Sequence, residues 1–155
     1  MNNIKTRIEK AQLDDLQEIL KLQYLSYQSE ADLFGTKDIP PLKQTISEVV
    51  EEYKSGLILK MLDENDVIIG SVRAKEHNGT VFIGKLMVHP EYRGKGFGTK
   101  LLLEIEQSFP DKRYELFTST KSVDNIRLYQ KLGYKIFSKK AVSDELVFVY
   151  MEKVF

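Results

Sequence analysis

The apolar run Leu86-Met87-Val88 stops at His89-Pro90 and passes at once into the basic, glycine-rich stretch Glu91-Tyr92-Arg93-Gly94-Lys95-Gly96-Phe97-Gly98-Thr99-Lys100. Nothing else in the chain constrains the fold as tightly. The run before it reads as a strand, and Phe97, Leu101, Leu102, Ile105 and Phe109 recur after it at helical spacing, so strand, loop and helix meet here. The first turn of such a helix has N–H groups with no intrahelical partner and about half a positive charge from its aligned peptide dipoles. That end of the helix attracts anions. Gly94, Gly96 and Gly98 have no Cβ, which lets a ligand approach the main chain and lets the loop use φ values closed to other residues. Arg93 adds a permanent cation.

Three familiar phosphate loops fail on spacing. A nucleoside-triphosphate loop ends in Gly-Lys-Ser/Thr, but Gly98 is followed by Thr99. The dinucleotide fingerprint needs a third glycine where Thr99 stands. A protein-kinase loop requires Val-Ala-Ile-Lys and His-Arg-Asp downstream, and neither occurs. What remains is Arg-x-x-Gly-x-Gly at Arg93, Gly96 and Gly98, with Leu86-x-Val88 before it and Pro90 between. The stretch closely resembles the acetyl-coenzyme A loop of the GNAT-type N-acetyltransferases.

The remainder of the chain tests that resemblance. Its 155 residues suit one domain, residues 1–155, with a real core. Lys plus Arg and Asp plus Glu number 23 each, which argues against a broad basic surface for nucleic acid. Lys95, Lys100, Lys139 and Lys140 make at most a local basic patch. No apolar run approaches membrane-spanning length, and Met1-Asn2-Asn3 leads into charged residues rather than a signal-peptide core, so a cytoplasmic protein that binds no membrane is expected. The absence of cysteine excludes disulfides, a thiol nucleophile and a cysteine zinc site.

In chain order, Ile4–Ala11 reads as a first strand. Asp14 and Asp15 mark a helix N-terminus, and Leu16, Ile19, Leu20, Tyr24 and Tyr27 follow at helical spacing. Ser29–Leu42 lacks periodicity and ends in Pro40-Pro41, which predicts an acidic loop carrying Glu30, Asp32 and Asp38. Thr45 and Glu48 have capping-box spacing for a helix that Gly56 ends. Leu57–Leu62, Val67–Lys75 and Thr80–Val88 read as an antiparallel meander, with Asn78-Gly79 as its second turn. After the glycine loop and its helix come a strand at Tyr114–Thr118, a helix from about Asp124 to Leu132 stopped by Gly133, and closing strands at Tyr134–Phe137 and Leu146–Met151. The prediction is a mixed α/β domain. Its seven-stranded, mostly antiparallel sheet is flanked by four helices in the order β-α-α-β-β-β-α-β-α-β-β.

That order is also the GNAT order, and Asn125-x-x-x-Tyr129-x-x-x-Gly133-Tyr134 is similar to the family's Asn/Tyr helix ending in Gly-aromatic. The resemblance implies acetyl-CoA as cosubstrate, no metal, and direct transfer of the acetyl group to a primary amine through a tetrahedral intermediate. It implies that the pyrophosphate lies on the amides of Gly94, Lys95, Gly96, Phe97, Gly98 and Thr99 with Arg93 alongside. The pantetheine arm would pair with the main chain of Leu86, Met87 and Val88 between two splayed strands, and Asn125 would contact the cofactor. The Leu86 N–H would be the oxyanion donor, and Tyr129 would protonate or hydrogen-bond the departing thiolate.

The acceptor, a small-molecule or peptide amine, would enter near Tyr27, Glu30, Phe82 and Gly84. Family members with an identified base carry Glu or His where this chain has Gly84 and Phe82, neither of which takes a proton. Lys85 has the opposite parity and faces away if the strand is regular. Glu30, Asp32, Glu76 or His77 acting through water, or an amine that arrives neutral, all stay open. So does a non-catalytic acyl-CoA-binding sensor of the same fold, and so does a homodimer through the exposed edges of the closing strands.

Overall fold

The computed structural model describes residues 4–154; the N-terminal Met1-Asn2-Asn3 read above lies outside them. Seven strands form one sheet: β1 (Arg7–Lys10), β2 (Leu57–Leu62), β3 (Ile68–His77), β4 (Thr80–Val88), β5 (Arg113–Ser119), β6 (Lys135–Ala141) and β7 (Val147–Lys153). Their spatial order is β1-β2-β3-β4-β5-β7-β6, antiparallel except where β4 meets β5. The helices are α1 (Leu16–Ser26), α2 (Gln28–Phe34), α3 (Pro40–Lys43), α4 (Ile46–Ser55), α5 (Phe97–Gln107) and α6 (Val123–Lys131). Among the described residues no helix is long and apolar enough to cross a membrane.

The element order follows the sequence expectation, with two helices more than the four expected. Ser29–Leu42, read as a loop, contains most of α2 and most of one-turn α3. Within α2 only Ala31 is buried, so the apolar stripe that marks a helix is missing there. At α4 the capping box forms as expected: Thr45 Oγ1 accepts from the Glu48 amide at 3.3 Å, and Glu48 Oε1 accepts from the Thr45 amide at 2.9 Å. Gly56 ends α4 in extended backbone rather than a left-handed turn. A Cβ there would stand 2.4 Å from the Ala74 carbonyl oxygen, so close approach to β3 is what requires glycine.

The two faces of the sheet are covered unequally. On one face Phe97, Leu101, Leu102 and Ile105 of α5 are buried against Val72, Val81, Ile83 and Leu116, each such side chain contributing roughly 1.5–3 kcal/mol by leaving water. Glu106 locks α5 in place: its carboxylate accepts from the Tyr134 hydroxyl at 2.7 Å and from Lys153 Nζ at 2.8 Å. On the other face Leu16, Ile19 and Leu20 of α1 and Val49 of α4 pack with Ala11 and Ile58.

Two irregularities in β4 shape everything that follows. Its parallel pairing with β5 covers only Thr80–Phe82 against Arg113–Glu115, although both strands run on, to Val88 and Ser119. Beyond Phe82 the two strands splay. Against β3 the register passes from Ser71 opposite Met87 to Arg73 opposite Gly84, so β4 carries one extra residue. Lys85 takes up that bulge with a φ of 51°, a region that non-glycine residues seldom enter.

Candidate active site

The glycine loop leaves β4 through a 3₁₀ turn at Pro90–Tyr92 and enters α5 with Gly96 as its N-cap. Gly94 and Gly96 have φ values of 77° and 81°, and open space lies where a Cβ would stand on either. No side chain caps α5, and the Lys100 amide, donating to Gly96 at 3.2 Å, is the first in the helix with a main-chain partner. The amides of Phe97, Gly98 and Thr99 therefore remain available to an anion. Gly98 differs from the other two glycines: it lies inside α5 and packs toward Leu128 of α6. Phe97 and Met87 put their side chains into the core, so only their main chains can face a ligand.

Arg93 does not reach freely beside this loop. Its guanidinium donates to the Ser26 carbonyl at 2.7 Å and to Ser29 Oγ at 3.0 Å, at the junction of α1 and α2. The carbonyl end of α1 suits a cation. Ser26 Oγ in turn donates to the Val88 carbonyl at 3.4 Å. From the opposite side, Glu30 Oε1 accepts from Ser122 Oγ at 3.1 Å and from Asn125 Nδ2 at 3.0 Å. Asn125 Nδ2 also approaches Thr118 Oγ1 at 3.4 Å. The segment Ser26–Glu30 is thus tied to the end of β4 at one side and to the β5–α6 turn at the other, crossing the gap between the splayed strands.

Two tyrosines from different helices converge below that crossing. Tyr129 on α6 is buried, with its ring 6.1 Å from that of Tyr134, and Tyr27 is half-buried at the end of α1. Burial, reinforced by the negative charge of Glu30, holds the Tyr129 hydroxyl well above its ordinary pKa. Burial does the same to Tyr27, and Tyr129 and Glu30 add to it. Both phenols stay protonated at any working pH. Arg73 Nε is the one buried side-chain N or O atom without a partner among the described residues.

Glu30 is pushed up by burial, while the hydrogen bonds from Ser122 and Asn125 and the charge of Arg93 pull the other way. The other carboxylates and imidazoles considered from sequence lie elsewhere. Glu76 pairs with Lys112 at 3.2 Å and His77 contacts Asn78 at 3.1 Å, both at the β3–β4 turn, the end of β4 away from the glycine loop. Asp32 is exposed on α2. Gly84 and Phe82 lie on the face covered elsewhere by α1 and α4, where Gly84 opposes Arg73, Phe82 is 43% exposed, and nothing stands within 4 Å of where a Gly84 Cβ would be.

Lys85 requires a correction. Regular alternation would turn it away from the face of Gly84, but the bulge brings its Nζ to 3.9 Å from Glu52 Oε1 on α4, on that same face. Sequence reasoning also missed Ser26, Ser29, Ser122 and Thr118. Ser26, Ser29 and Ser122 are small polar residues whose partners are distant in sequence, and Thr118 meets Asn125 only across the β5–α6 turn, so no local pattern revealed them.

The sequence matches the Acetyltransferase (GNAT) family over residues 13–134. The UPF0157 protein YqkA of Bacillus subtilis is 25% identical over 135 residues, which is 86% of this chain and 38% of that protein, so the chain spans about two fifths of that relative's length. The crystal structure of PaiA N-acetyltransferase from Thermoplasma acidophilum in complex with coenzyme A superimposes with a TM-score of 0.81 at 20% identity, over 97% of this chain and 99% of that one. The ribosomal-protein-S18-alanine N-acetyltransferase of Escherichia coli gives a TM-score of 0.76 at 14% identity, over 96% and 93% of the two chains. With strand, glycine loop and Asn/Tyr helix all inside the matched segment, the chain belongs to the GNAT acetyltransferase family.

Proposed function

We propose that the protein is an N-acetyltransferase that moves an acetyl group from acetyl-CoA to a primary amine. The observation that carries this reading is the end of β4–β5 pairing at Phe82, which leaves the later part of β4 unpaired on that side and leads into the unpartnered amides at the start of α5. Acetyl-CoA supplies the acetyl thioester. The amides of Gly94 to Thr99 hold its phosphates, and the main chain of Leu86, Met87 and Val88, unpaired on the β5 side, takes the pantetheine arm as an added strand. Arg93, anchored on Ser26 and Ser29, holds the crossing segment against the loop and keeps a positive charge beside it. Asn125 closes the other side. The Leu86 N–H is the oxyanion donor and Tyr129 the proton donor to the leaving sulfur.

Calorimetric titration with acetyl-CoA, followed by a thiol-release assay over a panel of amines, tests the assignment. Micromolar binding and amine-dependent thiol release are expected. Binding with no release over a broad panel would favour a cofactor-sensing domain, and no binding would remove both readings.

Glu30 is assigned as the base, taking the acceptor's proton through water, because it alone of the four residues considered is tied to α6, the helix that carries Tyr129. Glu30→Gln keeps an oxygen for Ser122 and Asn125 and should lower kcat by about 10²-fold while acetyl-CoA affinity holds. It should also act on stability with a definite sign. A carboxyl whose folded pKa is raised binds its proton more tightly folded than unfolded, so stability falls as pH rises from the ordinary carboxylate value through the raised one. The variant should lose that decline in a Tm-against-pH series. An unchanged kcat would remove Glu30 as the base.

A further inference from the structure

Between Tyr129 and α4 the cleft is electrically lopsided. At one end the Glu30 carboxylate is held by Ser122 and by Asn125, one turn before Tyr129 on α6. At the other, Arg73 and Lys85 crowd one carboxylate, Glu52. Tyr27 closes α1 one turn after Gln23, which holds Arg73, and three residues before Glu30.

The Glu52 carboxylate is already taken. Its Oε2 accepts from Arg73 Nη1 at 2.7 Å and its Oε1 from Gln44 Nε2 at 2.8 Å. Arg73 is further satisfied by Gln23 Oε1 at 2.7 Å and Gln44 Oε1 at 3.0 Å, which makes it a fixed, buried part of the wall. Lys85 is left over. Its ammonium lies 3.9 Å from Glu52, beyond hydrogen-bonding range, with three-quarters of its side chain out of solvent. Glu48, the next acid along α4, is committed to the Thr45 cap. Such an under-compensated charge is costly to hold, and burial together with Arg73 lowers the Lys85 pKa even though Glu52 and Glu48 oppose them.

The backbone pays for this placement too. Lys85 adopts left-handed geometry to put its side chain on this face, directly before Leu86 and beside the open space over Gly84. A flexible four-carbon stem lets the ammonium meet a small ligand lying in that space.

Resting on the transferase reading above, we propose that the acceptor is a zwitterionic amino acid, its carboxylate received by Lys85 and its amine directed toward Glu30 and Tyr129. The positions match the substrate's own polarity. An incoming carboxylate supplies the anion that Lys85 lacks, and the amine arrives where a base and a proton donor already stand.

The test uses the full chain with acetyl-CoA and follows thiol release with the common L-amino acids and the carboxamide of each. The pair differ in the charge that Lys85 would read and in the basicity of the amine, which the carboxamide lowers, so kcat/KM is compared per neutral amine across a pH series. For at least one side chain, the wild type should prefer the acid over its carboxamide by about tenfold or more in kcat/KM, the effect of one charge-assisted hydrogen bond. Lys85→Met should collapse that ratio toward one, chiefly by raising KM for the acid, and Lys85→Arg should keep most of it. Acetyl-CoA binding with no amino acid acetylated, no acid-over-amide preference, or a Lys85→Met loss that falls equally on acid and amide would each overturn the proposal. An equal loss would mark Lys85 as a proton carrier or a structural support. Thiol release with amines that carry no carboxylate separates these failures from failure of the transferase reading, since the latter leaves every amine of the panel unacetylated whether or not acetyl-CoA binds.

Discussion

Gly96→Val should weaken acetyl-CoA binding by at least about 100-fold while leaving the fold in place. Gly96 sits at φ 81° as the N-cap of α5, and a β-branched residue is a genuine outlier there, costing roughly 1–2 kcal/mol for the left-handed backbone alone. Its added methyl groups would stand in the open space over the loop, in front of the amides assigned to the phosphates. Either the loop shifts and the amides lose their convergence, or the branch blocks the anion. Backbone strain can be separated from site chemistry with Gly35→Val, because Gly35 has a similar φ of 73°, also faces open space, and caps α2 away from the loop. Both variants should lose a few degrees of Tm, and only Gly96→Val should lose the calorimetric signal. Near-normal affinity in Gly96→Val would mean that the phosphates lie elsewhere.

Elements fixed by local chemistry were legible in the sequence. The strand Thr80–Val88, the hairpin turn at Asn78-Gly79, the Thr45–Glu48 cap and the stripe Phe97-Leu101-Leu102-Ile105 follow from spacing and side-chain type, and all four are found where expected. What depends on distant partners was not. The bulge at Lys85 comes from one residue more on β4 than on β3, and a single-residue mismatch leaves no trace in a strand's composition. The contact of Glu30 with Asn125 joins residues 95 apart and turns a nominal surface acid into a half-buried group tied to the helix of Tyr129. Arg93 shows the same limit. Its motif marked it as a cation beside the loop, but only the fold reveals that Ser26 and Ser29 hold it.

Tyr129→Phe should reduce kcat by about 10²–10³-fold with little change in acetyl-CoA affinity, because it deletes one hydroxyl and keeps the buried ring against Tyr134. The direction of the tyrosine's pKa matters here. Burial and Glu30 hold the phenol protonated well past the ordinary tyrosine range, so it can donate to a departing thiolate but cannot serve as a base. The loss should therefore depend on the leaving group, shrinking when the thiol is made a better one, since an acidic thiol departs without help. Glu30→Gln should show no such dependence, because it acts on the attacking amine. Comparing the two variants across acetyl thioesters of graded thiol acidity separates proton donation from proton removal within one cleft. If Tyr129→Phe loses the same factor with every thiol, the hydroxyl's role is to position the cofactor. The proton must then come from the ammonium formed on attack, leaving Glu30 as the sole side chain in this gap that handles it.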